Sequence, residues 1–297
     1  MKCKRNKGVN DTKKVAFTLA EVLITLGIIG VVVALIMPTV ISKTKDKQYK
    51  AARDKALSTI GNASKNIAVQ GNMNDAQNAK DFVNNILRSQ IAIAKTCEND
   101  ELENCGIPAK YKNLDGYEIS MPKRVKDLSP VLMGSQGEYK SYVFLTGDGY
   151  AYNLFYFPEC SEKGFGHIIN GQRSVCVNAI YDMNGLRGPN QIGKDIGVVT
   201  VFYPNETVQA VAPMNEIVHL YNSNFEYPEA QRFCTEKGKR LPNFEEGMSI
   251  VLNIGLIGDV DFQTIWTLST DGPRTIVMNG IAFNTFFKVS AHAECVE

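Results

Sequence analysis

The chain has 297 residues, 44% of them hydrophobic and 21% charged, which allows one large packed domain or two modest ones. Its 32 Lys and Arg against 31 Asp and Glu give a formal net charge of +1, so overall charge points neither to nucleic acid nor to another polyanion as a partner. The balance is uneven along the chain, because residues 1–16 hold six basic residues and one acidic residue, leaving the remainder at 1 − 5 = −4.

That basic head runs directly into "FTLAEVLITLGIIGVVVALIM", 21 residues from Phe17 to Met37 with a single charge, Glu21. As a helix this segment extends about 31 Å, enough to cross a hydrocarbon core. A basic head followed by an apolar run is a targeting arrangement, and positive residues stay cytoplasmic, so the C-terminal bulk is expected across the membrane. A cleaved secretory signal has a shorter apolar region closed by a small-residue site, and neither feature is present. A plain anchor would gain from Leu in place of Glu21, since a carboxylate is costly at membrane depth. The charge therefore reads as functional.

With these residues in view, "AFTLAEVLITLGIIGVVVALIMP" resembles the class III signal of type IV pilins and type II secretion pseudopilins. The basic leader, the Phe-Thr-Leu run, Glu21, Gly27, Gly30 and Pro38 stand at that family's spacing. The resemblance implies that a prepilin peptidase cuts between Ala16 and Phe17, removes the cytoplasmic leader 1–16 and methylates the new amino terminus. Ala16 departs from the family, which usually has Gly there. Also implied are an inner-membrane, single-pass precursor with an extracytoplasmic C-terminus and, later, a periplasmic or extracellular filament. Its partners would be other pilin or pseudopilin subunits, an inner-membrane assembly platform and membrane lipid. In such a filament Glu21 pairs with the Phe17 amine of a neighbour. A buried pair is favourable only when both members are present, so the pair acts as a register device. Gly27 and Gly30 would belong to filament packing, and Pro38 removes a backbone donor that can kink or loosen the helix.

Beyond Pro38, Tyr49, Ala52, Ala56, Ile60, Ala63 and Ile67 recur at spacings of three and four between charged residues, which predicts a continued helix with one buried stripe over a segment 17–70. Gly71 and "GNMNDAQN" end it. "AKDFVNNILRSQIAIAKTC" reads as a second, shorter helix. "KSYVFLTGDGYAYNLFYF" alternates around Gly147-Asp148-Gly149, a hairpin signal, and "SVCVNAIYDM" and "IGVVTVFY" are further strands. The expected fold class is α+β, a long N-terminal helix packed on an antiparallel sheet in a head of residues 71–214, followed by a lobe of 215–297.

Cys3 lies in the leader, and six cysteines, Cys97, Cys105, Cys160, Cys176, Cys234 and Cys295, lie in the extracytoplasmic bulk. An even number there favours three disulfides. Six cysteines allow about 15 pairings; proximity suggests 97 with 105 and 160 with 176, leaving 234 with 295. No Cys/His spacing suggests zinc.

Within "YDMNGLRGPNQIGKD", Asp182, Asn184, Asn190 and Asp195 offer oxygen ligands in a Gly-rich loop, a donor set suited to calcium. The stretch also resembles a pattern recurring in bacterial pseudopilin-like proteins. Tight turns use the same residue types, and the Glu that completes a standard calcium loop is missing.

The last eighty residues, with "YPEAQRFCTEKGKRLPNFEEG", "IWTLST" and "AHAECVE", resemble C-type lectin-like domains and the related fold of formylglycine-generating enzymes over about 215–297. The likeness implies a structural bond between Cys234 and Cys295. No EPN, QPD or WND run accompanies Trp266, so a calcium-dependent sugar site is not implied. Trp266, Tyr221 and Tyr227 are able to stack on a ligand, although a lone Trp is more often core. His167, His219 and His292 are scattered, and no G-x-S-x-G or H-E-x-x-H motif supports an enzyme. The expected function is that of a structural, prepilin-like subunit, a minor rather than major one because its head is large. The alternative is an adhesin that displays its lectin-like lobe.

Overall fold

The computed structural model describes residues 18–128, 135–158, 160, 174–203, 209–211, 227–257, 264–267, 274–277, 282–284 and 295–296. They fall into two units, one ending at Gln48 and one beginning at Tyr49.

Helix α1 spans Leu19–Val69, 51 residues, and is uninterrupted at Pro38. Proline leaves the carbonyl one turn earlier without its helical donor, which is tolerable on an uncovered stretch. In the first unit, residues 18–48 are exposed throughout. In the second, Ala52, Ala56, Ile60, Ala63 and Ile67 are all buried, at the spacings that the sequence predicts. The helix ends where Gly71 takes a positive φ of 80°. There the Gly71 amide donates to the Ala68 carbonyl and the Asn72 amide to the Ile67 carbonyl, capping the last turn.

Helical turns continue through α2 (Ala79–Asp81), a π turn (Phe82–Ile86) and a 3-10 turn (Leu87–Ser89). Strand β1 (Ile93–Cys97) follows. The expectation of one helix across "AKDFVNNILRSQIAIAKTC" therefore holds only for its first half. The rest alternates Ile and Ala, a period suited to a strand, and β1 pairs antiparallel with the later strand β4 (Tyr142–Thr146). Then come a small hairpin, β2 (Lys110–Lys112) and β3 (Glu118–Ser120), and a short helix, α3 (Val125–Leu128). The Gly147-Asp148-Gly149 hairpin joins β4 (Tyr142–Thr146) to β5 (Ala151–Tyr156). Strands β6 (Ser174–Asp182), β7 (Ile196–Tyr203) and β8 (Gln209–Val211) complete an antiparallel sheet ordered β1-β4-β5-β6-β7-β8.

Both faces of this sheet are covered. On one, Tyr152, Tyr156 and Tyr181 lie toward the helical side. Tyr156 stacks on Phe82 with centroids 4.6 Å apart and donates to the Met73 carbonyl. A Cβ built on Gly61 of α1 would stand 3.1 Å from the Ala210 methyl of β8, and Lys55 reaches the hairpin tip to pair with Asp148 at 2.8 Å. On the other face lie Asn178 and Thr200, directly paired across β6 and β7.

Against that face sits a helix spanning Phe244–Leu252. Helix α4 (Tyr227–Glu236), α5 (Phe244–Leu252) and α6 (Ile254–Ile257) precede a three-stranded antiparallel sheet of β9 (Thr264–Thr267), β10 (Arg274–Val277) and β11 (Ala282–Asn284). Ser249 and Asn253 reach the sheet. Thr200 Oγ1 donates to Asn178 Oδ1 at 2.8 Å and shares a hydrogen bond with Ser249 Oγ, while Asn178 Nδ2 donates to Asn253 Oδ1 at 2.7 Å. All four residues are fully buried. Long N-terminal helix, six-stranded antiparallel sheet and mixed elements after it make the fold class α+β.

Candidate functional site

At the start of α1, Thr18 and Glu21 bond reciprocally. The Thr18 amide and hydroxyl both donate to Glu21 Oε2 at 2.9 Å, and the Glu21 amide donates to Thr18 Oγ1 at 3.2 Å. This is the pattern of a capping box, in which a Thr three residues ahead of a Glu satisfies helix-end amides. Within one chain, then, the Glu21 carboxylate is already held by its own helix end. The signal for Thr18 was present in the T-x-x-E spacing, although the apolar surroundings draw attention to the charge alone. Ala16 and Phe17 lie outside the described residues. Gly27 and Gly30 are exposed, and among the described residues a Cβ on either would meet nothing within 4 Å, so no contact seen there requires glycine.

The loop between β6 and β7 gathers the four oxygen-bearing residues that the sequence singles out. Asp182 is the last residue of β6 and Asp195 immediately precedes β7, so the ladder end brings them together, with the Met183 amide donating to the Asp195 carbonyl. Both are fully buried. Asp195 is turned by its own loop: Oδ2 accepts from the Asn190 amide and Oδ1 from the Gln191 amide, each at 2.9 Å. Asn190 takes a φ of 50°, a left-handed conformation that Asn tolerates better than most residues. Asp182 Oδ1 accepts from the Asn184 amide at 2.9 Å.

Three oxygens in this loop have no hydrogen-bond partner although buried: Asp182 Oδ2, Asn184 Oδ1 and Asn190 Oδ1. Leaving a buried acceptor unsatisfied costs about 1–3 kcal/mol. Burial pushes the Asp182 carboxyl up to about 7, with the nearby Asp195 charge adding to the effect and the Asn184 amide opposing it. Uncharged carbonyl oxygens beside two carboxylates form a hard donor set, which fits calcium better than a transition metal. Among the described residues no three or more His, Cys, Asp or Glu side chains cluster as a metal site, so a cation here would rest on two carboxylates and on amide oxygens.

The rest of the molecule holds this loop. Lys112 donates its amide to the Asn190 carbonyl at 2.7 Å and accepts from the Ile192 amide at 2.9 Å. Gly106 and Gly185, both at positive φ, are neighbours: a Cβ on Gly106 would stand at ordinary contact distance, 3.7 Å, from the Gly185 Cα. Gly106 directly follows the bond between Cys97 and Cys105. Cys160 is bonded to Cys176 and Cys234 to Cys295, so the six cysteines form the three pairs that proximity suggests.

In the C-terminal part, "GKRLPNFEE" has a structural meaning. Asn243 and Glu246 form a capping box at the start of α5, and Arg240 grips Glu246 with two hydrogen bonds of 2.7 and 2.8 Å. Arg240 also pairs through its backbone with Val296, next to Cys295, in an isolated antiparallel bridge that fastens residues 295–296 to this turn. Trp266 lies on β9; His167, His219, His292 and Tyr221 lie outside the described residues.

Comparison with protein-family models, with curated proteins and with solved structures finds no match to the chain.

Proposed function

We propose that the chain is a prepilin-like structural subunit, a minor pilin or pseudopilin, which is processed at the inner membrane and assembled with related subunits into a type IV pilus or secretion filament. The observation that carries this reading is the division of α1: residues 18–48 are uncovered and apolar up to Ile41, yet Glu21 stands near the start. An apolar helix of this length needs a lipid or protein environment, and a carboxylate in it needs a partner. A filament core supplies both, with the amine freed at Phe17 of one subunit opposite Glu21 of the next. Gly27 and Gly30, where an added Cβ would meet none of the described residues, are then sites of close approach between subunits.

In this reading the Asp182–Asp195 loop holds a calcium ion, through Asp182, Asn184 and Asn190 with Asp195, and the ion fixes the head displayed by the filament. The unsatisfied buried oxygens support it. Calcium would supply positive charge to oxygens that no hydrogen-bond donor reaches.

The test is replacement of Glu21 by Ala in the host cell. The variant is expected to reach the membrane fraction at the level of the parent and to be lost from sheared filaments by at least tenfold. Equal recovery of both proteins in the filaments would reject the assignment.

A further inference from the structure

The apolar run of α1 is longer than a bilayer requires. From Leu19 to Ile41 it contains 23 residues, about 35 Å of helix, against about 30 Å of hydrocarbon. Hydrophobicity alone leaves its depth undetermined by about three residues. Immediately beyond come Lys43, Lys45 and Lys47, with Asp46 among them, all exposed on the same unbroken helix. At about 100° per residue, Lys43 and Lys47 share one side and Lys45 faces the other, so the ammonium groups surround the helix.

We propose that Lys43, Lys45 and Lys47 form a collar that binds anionic phospholipid headgroups of the extracytoplasmic leaflet and thereby sets the depth of α1 before assembly. The proposal rests on the reading that α1 crosses a membrane. Each basic residue near an anionic surface is attracted to it, and the attraction decays within a Debye length, about 10 Å at 0.1 M salt. The collar lies within that distance of the last apolar residue.

Depth set at one end determines the position of the other. Glu21 is 22 residues from Lys43 and 26 from Lys47, about 33 and 39 Å along the helix. An average tilt of about 20° shortens these only to roughly 31 and 37 Å. A bilayer with its headgroups is about 40–45 Å thick. With the collar in one headgroup layer, Glu21 therefore lies at the opposite interface, beside water, with Thr18 capping it. The waiting subunit is spared an unpaired charge in hydrocarbon, and Glu21 enters dry surroundings only when a neighbour's amine is at hand.

The experiment uses the full chain with Cys3→Ser and a fluorophore on Ser42→Cys, reconstituted in phosphatidylcholine vesicles containing phosphatidylglycerol. Quenching by brominated phosphatidylglycerol is compared with quenching by brominated phosphatidylcholine. The expected result is a preference for the anionic lipid of at least threefold. It should be lost in Lys43→Gln/Lys45→Gln/Lys47→Gln, retained in the triple Arg variant, and abolished by 1 M salt, where the Debye length is about 3 Å. A carbonate-resistant protein quenched equally by both lipids overturns the collar and leaves the membrane helix standing. A protein stripped by carbonate and quenched by neither overturns both.

Discussion

Asp182 ends a strand buried at every residue, with one carboxylate oxygen accepting from the Asn184 amide and the other without a hydrogen-bond partner among the described residues. Its folded-state pKa, about 7, lies above the ordinary carboxylate value. In calcium-free protein the neutral acid is therefore the favoured form, and the stability it contributes is complete below about pH 4 and is lost as pH rises through about 7. Calcium needs the carboxylate, so its stabilising effect should grow over the same window. We expect melting temperature in chelator to fall from pH 5 to pH 8 and the increment on adding calcium to rise. Asp182→Asn should flatten the first curve and remove most of the second; an unchanged calcium increment in that variant would discard the cation site. In sequence, the oxygen-rich loop was legible from its residue types, but the unpartnered oxygens were not, because they depend on which atoms the fold buries. Glu21 was legible as a charge in an apolar run, whereas its bond to Thr18 was signalled only by the T-x-x-E spacing, which many helix starts share.

At the scale of elements, α1 was legible because Ala52, Ala56, Ile60, Ala63 and Ile67 repeat with the helical period, and the Gly147–Gly149 hairpin because alternation flanks a turn. "IAIAKTC" misleads because Ala and Ile over so short a stretch suit either structure; pairing with β4 decides it. Some contacts follow from no local pattern. A Cβ on Gly255 in α6 would overlap the Asp127 carbonyl oxygen and stand 2.8 Å from that of Leu128, both backbone atoms of α3. Gly255→Ala is accordingly expected to destabilise the protein by about 1–3 kcal/mol, despite the better helix propensity of Ala. Chemical denaturation measures this directly, and a gain in stability would show that α3 and α6 are not in contact.

Over the whole molecule, the six-stranded sheet carries α1 on one face and α5 on the other, and the buried Asn178, Thr200, Ser249 and Asn253 fix the second contact. Such a network specifies one arrangement because every misplaced alternative strands a polar group. Thr200→Val strands Ser249 Oγ and takes from Asn178 Oδ1 one of its two donors, the other being Asn253 Nδ2, and should cost about 1–3 kcal/mol by denaturant titration. Wild-type stability in Thr200→Val would contradict that role. Nothing in the sequence marks these four residues, since Asn and Ser usually signal surface turns. Residues 18–48 of α1 are exposed, and our account places their partners in neighbouring subunits. The most direct test is intact-mass analysis of the protein purified from its native filament or membrane. We predict a mature chain beginning at Phe17, methylated on its amine and recovered in a polymer; a chain still carrying residues 1–16, resident in the bilayer without polymer, would contradict the account.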